Sequence, residues 1–134
     1  MASLTVFAGR IRRRGKMVEI GADRAVQQAA VIIDQALVLA TPVDTGRARA
    51  NWQVGIDKPI TEPIDETDVS GQTTLDKNNV IIRGRKSGQS IHITNNVDYI
   101  EQLNQGSSSQ APANFVGLAV QEAVSFLRRQ KILR

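Results

Sequence analysis

The feature that most limits how this 134-residue chain can fold is an apolar stripe at helical spacing from about Lys16 to Ala40. Val26, Ala29, Ala30, Ile33, Leu37 and Ala40 recur every three or four residues, which places them on one face of a single long helix. At 1.5 Å per residue such a helix is roughly 35 Å long and spans a domain of this size. Its last part, Ala36-Leu37-Val38-Leu39-Ala40, is apolar on every side. A helix of that kind must be covered all round, by its own sheet or by a neighbouring subunit, so the sequence predicts oligomerisation. Thr41-Pro42 then stops the helix, because proline has no N–H to donate and disfavours helical backbone in the residue before it.

Beyond a tight loop at Pro42–Arg47, Trp52, Val54 and Ile56 alternate with Gln53, Gly55 and Asp57, the period of a strand with one buried face. Residues 57–76, with Pro59, Pro63 and several acidic side chains, are expected to form an extended loop. Val80-Ile81-Ile82 and Ile91-His92-Ile93 read as two further strands, joined in a hairpin by the basic turn Arg83–Gly88. Asp98 is placed to cap a short helix from Tyr99 to Gln105, ended by Gly106 in a left-handed conformation. Ser107–Ser109 offers another cap and Pro112 fits the first turn of a final helix, whose stripe is Val116, Ala119, Val120, Ala123, Val124 and Leu127. The expected fold is α+β: a long N-terminal helix, a small, mainly antiparallel sheet, and a short helix and a C-terminal helix packed on that sheet. It forms one domain over residues 1–134, with a basic N-terminal arm at 1–15.

Hydrophobic residues at 41% and charged residues at 22% fit a chain that folds, and aromatics at only 4% require an aliphatic core. Cysteine is absent, which removes disulfides and thiolate chemistry and suits a reducing cytoplasm. The start of the chain lacks the pattern of a signal peptide, and no apolar run has the length of a membrane span, so export by that route and membrane insertion are not expected. Net charge is +4, concentrated in Arg10, Arg12, Arg13, Arg14 and Lys16 and in Arg128, Arg129, Lys131 and Arg134. The first cluster, with Arg83, Arg85 and Lys86 of the basic turn, is a candidate contact for DNA or an acidic partner. The last cluster is read as helix-end cations favoured by the macrodipole.

Little in the chain points to catalysis. His92 is the one histidine, so a histidine pair for a metal is impossible, and its place on a strand suggests solvent or an interface. Asp44-Thr45-Gly46 matches the tripeptide of aspartic proteases, yet Pro42 precedes it and Arg47 and Arg49 follow, so a turn is the better reading. In that turn Asp44 closes an Asx-type loop, Gly46 supplies a permissive dihedral and Arg47 pairs with Asp44. Gly84 and Gly88 lack the spacing of a phosphate-binding loop, and the strands carry no stacking set of aromatics for sequence-specific nucleic-acid binding. The expectation is a protein that is not an enzyme and takes no cofactor, metal or small-molecule substrate.

Two stretches resemble a known family: Thr41-Pro42-Val43-Asp44-Thr45-Gly46-Arg47-Ala48-Arg49-Ala50-Asn51-Trp52, and Asn95-Asn96-Val97-Asp98-Tyr99-Ile100-Glu101-Gln102-Leu103-Asn104-Gln105-Gly106 running into Ser109-Gln110-Ala111-Pro112. They are similar to the head-to-tail joining, or tail-completion, family of long-tailed bacteriophages, over roughly residues 17 to 128. In that family a "TPVDTG-R" turn follows a long first helix, and an "N-Y-LE-G-S-QAP" segment leads into the final helix. The chain departs from the pattern at Asn104, where glutamate is common, and at Asn114, where the family often has glycine.

The resemblance implies an α+β protomer of a ring, with six-fold symmetry expected, between the portal-side connector and the tail-terminator or tail-tube proteins, with genomic DNA passing through the lumen. It implies a virion protein of the neck or tail, assembled in the host cytoplasm. The residues expected to shape the motif are Asp44, Gly46, Arg47, Trp52, Tyr99, Gly106, Gln110 and Pro112. The 58–75 loop and the Arg83–Gly88 turn are expected to grip partners, being long, polar and dispensable to the core. The competing readings are another minor tail or tail-terminator component and a basic nucleic-acid-binding domain.

Overall fold

The computed structural model describes residues 22–131. The basic arm, including Arg12, Arg13, Arg14 and Lys16, lies outside the described residues, as does the expected helix start at Lys16. The elements are α1 (Ala22–Ala40), α2 (Arg47–Ala50), β1 (Trp52–Ile56), α3 (Gln72–Arg83), β2 (Ile91–Asn95), α4 (Ile100–Asn104) and α5 (Phe115–Arg129). The fold is α+β: five helices and one two-stranded antiparallel sheet among the described residues. β1 and β2 pair from Trp52 opposite Asn95 to Ile56 opposite Ile91.

α1 is the spine. Its stripe Val26, Ala29, Ala30, Ile33 and Leu37 is buried, and α5 lies along it, so the link of the C-terminal helix to the sheet runs through α1. On its other side α1 meets α3 and β1, and α3 in turn packs on β1. α5 supplies Phe115, Val116, Ala119, Ala123 and Leu127 to this core, matching the helical stripe read from the sequence, with Val120 and Val124 at its margin.

Two expected features take a different form. Val80-Ile81-Ile82 is not a strand but the end of α3, so the hairpin over Arg83–Gly88 does not exist and β2 pairs with β1 instead. The expected loop at 57–76 also ends early, since α3 begins at Gln72. The physical reason is that two of the three residues α3 buries, Thr74, Asn78 and Ile82, are polar. Their spacing of four is helical, but a hydrophobic pattern does not register it, and the β-branched run at 80–82 reads locally as a strand.

Apart from Asn78 Oδ1, which is buried without a partner, those polar groups are bonded. Asn78 Nδ2 donates to Asp34 Oδ1 and Oδ2 on α1, both at 3.1 Å, and to the backbone oxygen of Trp52 at 2.9 Å. Thr74 donates from its N–H (2.7 Å) and its hydroxyl (2.8 Å) to Asp68 Oδ2, while Gly71 N–H reaches Asp68 Oδ1 at 3.2 Å. Asp68 is thus a carboxylate over the N-terminus of α3, where free N–H groups and the helix dipole favour negative charge.

The segment between β1 and α3 is extended, as expected, but it is a strap rather than a free arm. Asn51, fully buried, donates from Nδ2 to Ile64 O at 3.0 Å and accepts from Ile64 N–H at Oδ1 at 2.8 Å. Gln53 donates to Glu62 O at 2.8 Å, and Thr94 and Asn96 donate to Ile60 O at 2.9 and 2.7 Å. The core therefore depends on this segment for the partners of Asn51. Deleting residues 60–72 is expected to lower the thermal midpoint sharply or prevent folding. An unchanged melt would show the strap to be dispensable.

Asp34 supplies a second test. It is fully buried, and burial pushes its carboxyl from 3.8 up to about 7 against the smaller opposing effect of the Asn78 hydrogen bond. The folded state then holds the proton more tightly than the unfolded state. The cost of ionising Asp34 is absent below its unfolded value, grows as pH rises from 3.8 to about 7, and is complete above that. At about 1.4 kcal/mol per tenfold change in proton affinity, the full cost is roughly 4 kcal/mol. Asp34→Asn is expected to gain stability relative to the parent as pH is raised from 5 to 8. A difference in denaturation midpoint that stays flat over that range would refute the assignment.

Candidate functional site

The site begins where α1 ends. Thr41 Oγ1 donates to Leu37 O at 2.6 Å, closing the last turn, and accepts from Trp52 Nε1 at 2.7 Å. Trp52 is fully buried, so the bond satisfies the one polar atom of the largest core side chain. α1 has no basic residue in its own last turn. Arg49 supplies the cation from α2, donating to Thr41 O (3.0 Å), Leu39 O (3.1 Å) and Val69 O (2.9 Å). One guanidinium thus caps the free carbonyls of α1 and ties the strap to them. Arg49 was read only as a neighbour of the turn; a helix without a C-terminal cation, followed by a nearby arginine, is the signal that could have found it.

Gly46 turns the chain. It has φ 89°, and its carbonyl accepts from Ala50 N–H and from Asp68 N–H, both at 3.0 Å. A Cβ there would stand 2.7 Å from backbone atoms of Asp68 and Val69, so both dihedral and space require glycine. Asp44 and Arg47 behave otherwise than expected. Asp44 is exposed and has no ion-pair partner among the described residues. The turn is closed instead by Thr45 Oγ1, which accepts from Arg47 N–H at 3.2 Å. The half-buried Arg47 guanidinium reaches the exposed Asp98, 3.7 Å away, in a long pair that contributes little stability.

The second stretch folds against the first. Gln110 donates from Nε2 to Val43 O at 2.7 Å and accepts from Val43 N–H at Oε1 at 2.9 Å, so its amide pairs with the backbone as a neighbouring strand would. Asn95 Nδ2 donates to Ala48 O at 2.8 Å. Tyr99, half-buried, packs on the core at the junction. Between the stretches lies a cleft of about 80 Å³, lined by residues that include Val43, Gly46, Arg47, Tyr99 and Gln110. Pockets for small molecules run from about 300 Å³ upward, so this cleft is too small for a typical small-molecule substrate.

The exit of α4 and the start of α5 are also built from the motif. Gly106 has φ 98°; its N–H donates to Leu103 O at 3.1 Å and Ser107 N–H to Gln102 O at 3.2 Å, the paired bonds of a Schellman ending. At the other end of α4, the N-cap position is Tyr99 with no side-chain cap bond, so Asp98 does not cap it. α5 begins at Phe115, later than expected, so Pro112 is an exposed residue ahead of the helix and the serine run does not cap it. Asn104 does so from α4: Oδ1 accepts from Val116 N–H at 3.0 Å, and its carbonyl accepts from Asn114 N–H at 2.5 Å. Asn114 has φ 61°, a left-handed conformation that asparagine tolerates better than most residues. The two departures from the family pattern thus touch each other and complete one helix start.

The basic turn splits in two. Arg83 and Lys86 are exposed, whereas Arg85 is buried and donates from Nε to Gln89 O at 2.8 Å, so it braces the turn from within. His92 is half-buried, with Nε2 3.0 Å from Ser90 Oγ. This pair lacks the third group that would orient the ring: Nδ1 is buried without a partner, and Asp57 Oδ1 accepts from Ser90 N–H instead. Among the described residues, no three His, Cys, Asp or Glu side chains are grouped to hold a metal ion, and no helix is long and apolar enough to cross a membrane.

No family model, curated protein or solved structure matches the chain. The likeness to tail-completion proteins therefore rests on the two stretches themselves.

Gly46→Ala is expected to destabilise the fold by roughly 2–4 kcal/mol through strain and collision, whereas Asp44→Asn should change stability by less than about 0.5 kcal/mol. Urea denaturation of both variants checks the pair. Equal effects would contradict the turn described here.

Proposed function

We propose that the protein is a structural subunit of a long-tailed bacteriophage virion, a tail-completion or head-to-tail joining protein. It assembles with copies of itself into a ring, taken as six-fold, between the portal-side connector and the tail-terminator or tail-tube proteins, with DNA passing through the lumen. The observation that carries this reading is the convergence of the two signature stretches: Gln110 of one clamps Val43 of the other, and Asn95 bonds Ala48. Sequence matches arising by chance have no reason to fold into one bonded unit. The exposed Arg83 and Lys86 give the subunit cations for non-specific contact with DNA.

The test is electron microscopy of lysates from the parent phage carrying a stop codon in this gene. DNA-filled heads and complete tails lying unjoined, and joined again when purified protein is added, are the expected result. Normal virions would remove the reading. Heads without DNA would favour another accessory role.

A further inference from the structure

We infer that the end of the molecule where α1 begins is a binding face for the phosphate backbone of double-stranded DNA, built from Arg24, Arg83, Lys86, Arg128, Arg129 and Lys131. All six side chains are exposed. They come from the ends of three helices, which the fold brings to one pole. α3 runs antiparallel to α1. At its start, a Cβ on Gly71 would stand 2.7 Å from Val38 Cγ1, whereas at its far end Gln27 donates from Nε2 to Arg83 O (3.5 Å) and Arg85 O (3.2 Å). Arg24 lies three residues before Gln27, on the same flank of α1. α5 also runs antiparallel, because Gln110 ahead of it is clamped to Val43 beyond α1. The buried stretches Val26–Val38 and Phe115–Leu127 are equal in length, so packing α5 along α1 brings Leu127, and with it Arg128, Arg129 and Lys131, level with Val26.

No ion pair among the described residues balances these charges: the two that form, Arg47 with Asp98 and Lys77 with Glu66, involve none of the six. The helix dipole accounts for Arg83, Arg128 and Arg129 one at a time, since each stands in the last turn of its own helix. It does not account for Arg24 or Lys86, which belong to neither last turn, nor for two basic helix ends lying at one pole. Like charges gathered in this way repel one another, and a polyanion relieves the repulsion.

The breadth of the face selects the occupant. Packed helices stand roughly 8–10 Å apart, so α5 and α3 with α1 between them spread the cations over about 20 Å. A single phosphate or carboxylate covers a fraction of that. Duplex DNA carries one charge per roughly 1.7 Å of its axis and presents on the order of ten over the same distance. Arg24, Arg83, Arg128 and Arg129 add forked donors that fit phosphate oxygens. Single strands are held by stacking on aromatic side chains, and Phe126 is the one exposed aromatic among the described residues. The face therefore reads charge and not base sequence. It deepens the proposed function, on which it rests for the source of the DNA, by naming the surface that meets the duplex.

Fluorescence anisotropy of the purified full-length chain with a labelled duplex of about 20 base pairs tests this. At about 0.1 M salt, Arg24→Gln with Arg129→Gln should weaken binding roughly tenfold and flatten the slope of log affinity against log salt by about 2, and Arg83→Gln with Lys86→Gln should do the same. Gln105→Glu with Ser109→Glu lowers the net charge equally at the opposite pole, beside Gln110, and should change affinity less than about twofold. Arg12, Arg13 and Arg14 are unaltered in every variant, so the differences report this face alone. Arg24→Lys with Arg129→Lys keeps the charge and should keep the slope, which separates lost charge from a damaged fold. A duplex that does not bind overturns the proposal, as does parental affinity in the Arg24 and Arg129 pair, an equal loss in the opposite-pole pair, or tighter binding to polyglutamate or to single-stranded DNA. Failure to bind in a protein that still joins heads to tails overturns this face and leaves the neck reading intact. Duplex binding by a protein that joins nothing removes the neck reading and leaves the face standing.

Discussion

One side-chain amide joins the three elements of the core. Asn78, on α3, donates to the buried Asp34 carboxyl on α1 and to the backbone of Trp52 on β1, and no other described residue bonds all three. A buried polar group is costly unless paired, so this junction specifies the arrangement more sharply than apolar contact would. α3 cannot rotate about its axis or slide along α1 and keep Asn78 in reach of Asp34 and Trp52 O together. Ionising Asp34 loads that same point, which links the pH response of the fold to its geometry.

The second recurring device is the side-chain amide used as a piece of strand. A two-stranded sheet is marginal by itself. Here Asn51 pairs with Ile64 and Gln110 with Val43 through the N–H and C=O of one backbone unit, the pattern a neighbouring strand would supply. Each brings in a segment that has no regular structure of its own. The first holds the strap across β1, and the second fixes the approach to α5. Arg49 does comparable service for the end of α1, where the carbonyls of Leu39 and Thr41 converge with those of Val69 and Ser70 on one guanidinium.

How far the sequence disclosed this follows from the same devices. α1, β1, β2 and α5 were legible because their buried positions are apolar and repeat with a clear period. α3 was not, because Thr74 and Asn78 are inward and polar, and their burial is licensed by Asp68 and Asp34, which are distant in sequence or lie outside the helix. Gly46 and Gly106 were legible from turn chemistry, since each needs a left-handed backbone. The capping of α5 by Asn104, the bracing of the basic turn by Arg85 and the pairing of Arg47 with Asp98 were not. Each depends on which segments the fold brings together, and side-chain partners carry no periodic signal. The apolar end of α1 was read as needing cover from its own sheet or from a neighbouring subunit; within the chain Val38 is fully buried and Leu39 is half open.

The way the strap is held separates being ordered from being protected. Side chains in and beside the sheet grip its carbonyls at Ile60, Glu62 and Ile64, but between residues 58 and 67 Ile64 is the one described residue whose backbone N–H donates a hydrogen bond within the protein. Amide exchange with solvent reports on N–H groups alone. In an exchange experiment this stretch would therefore lose its label as fast as a free linker, although its position is fixed. Its fixed position would be visible to a probe of carbonyls or side chains and invisible to a probe of amides.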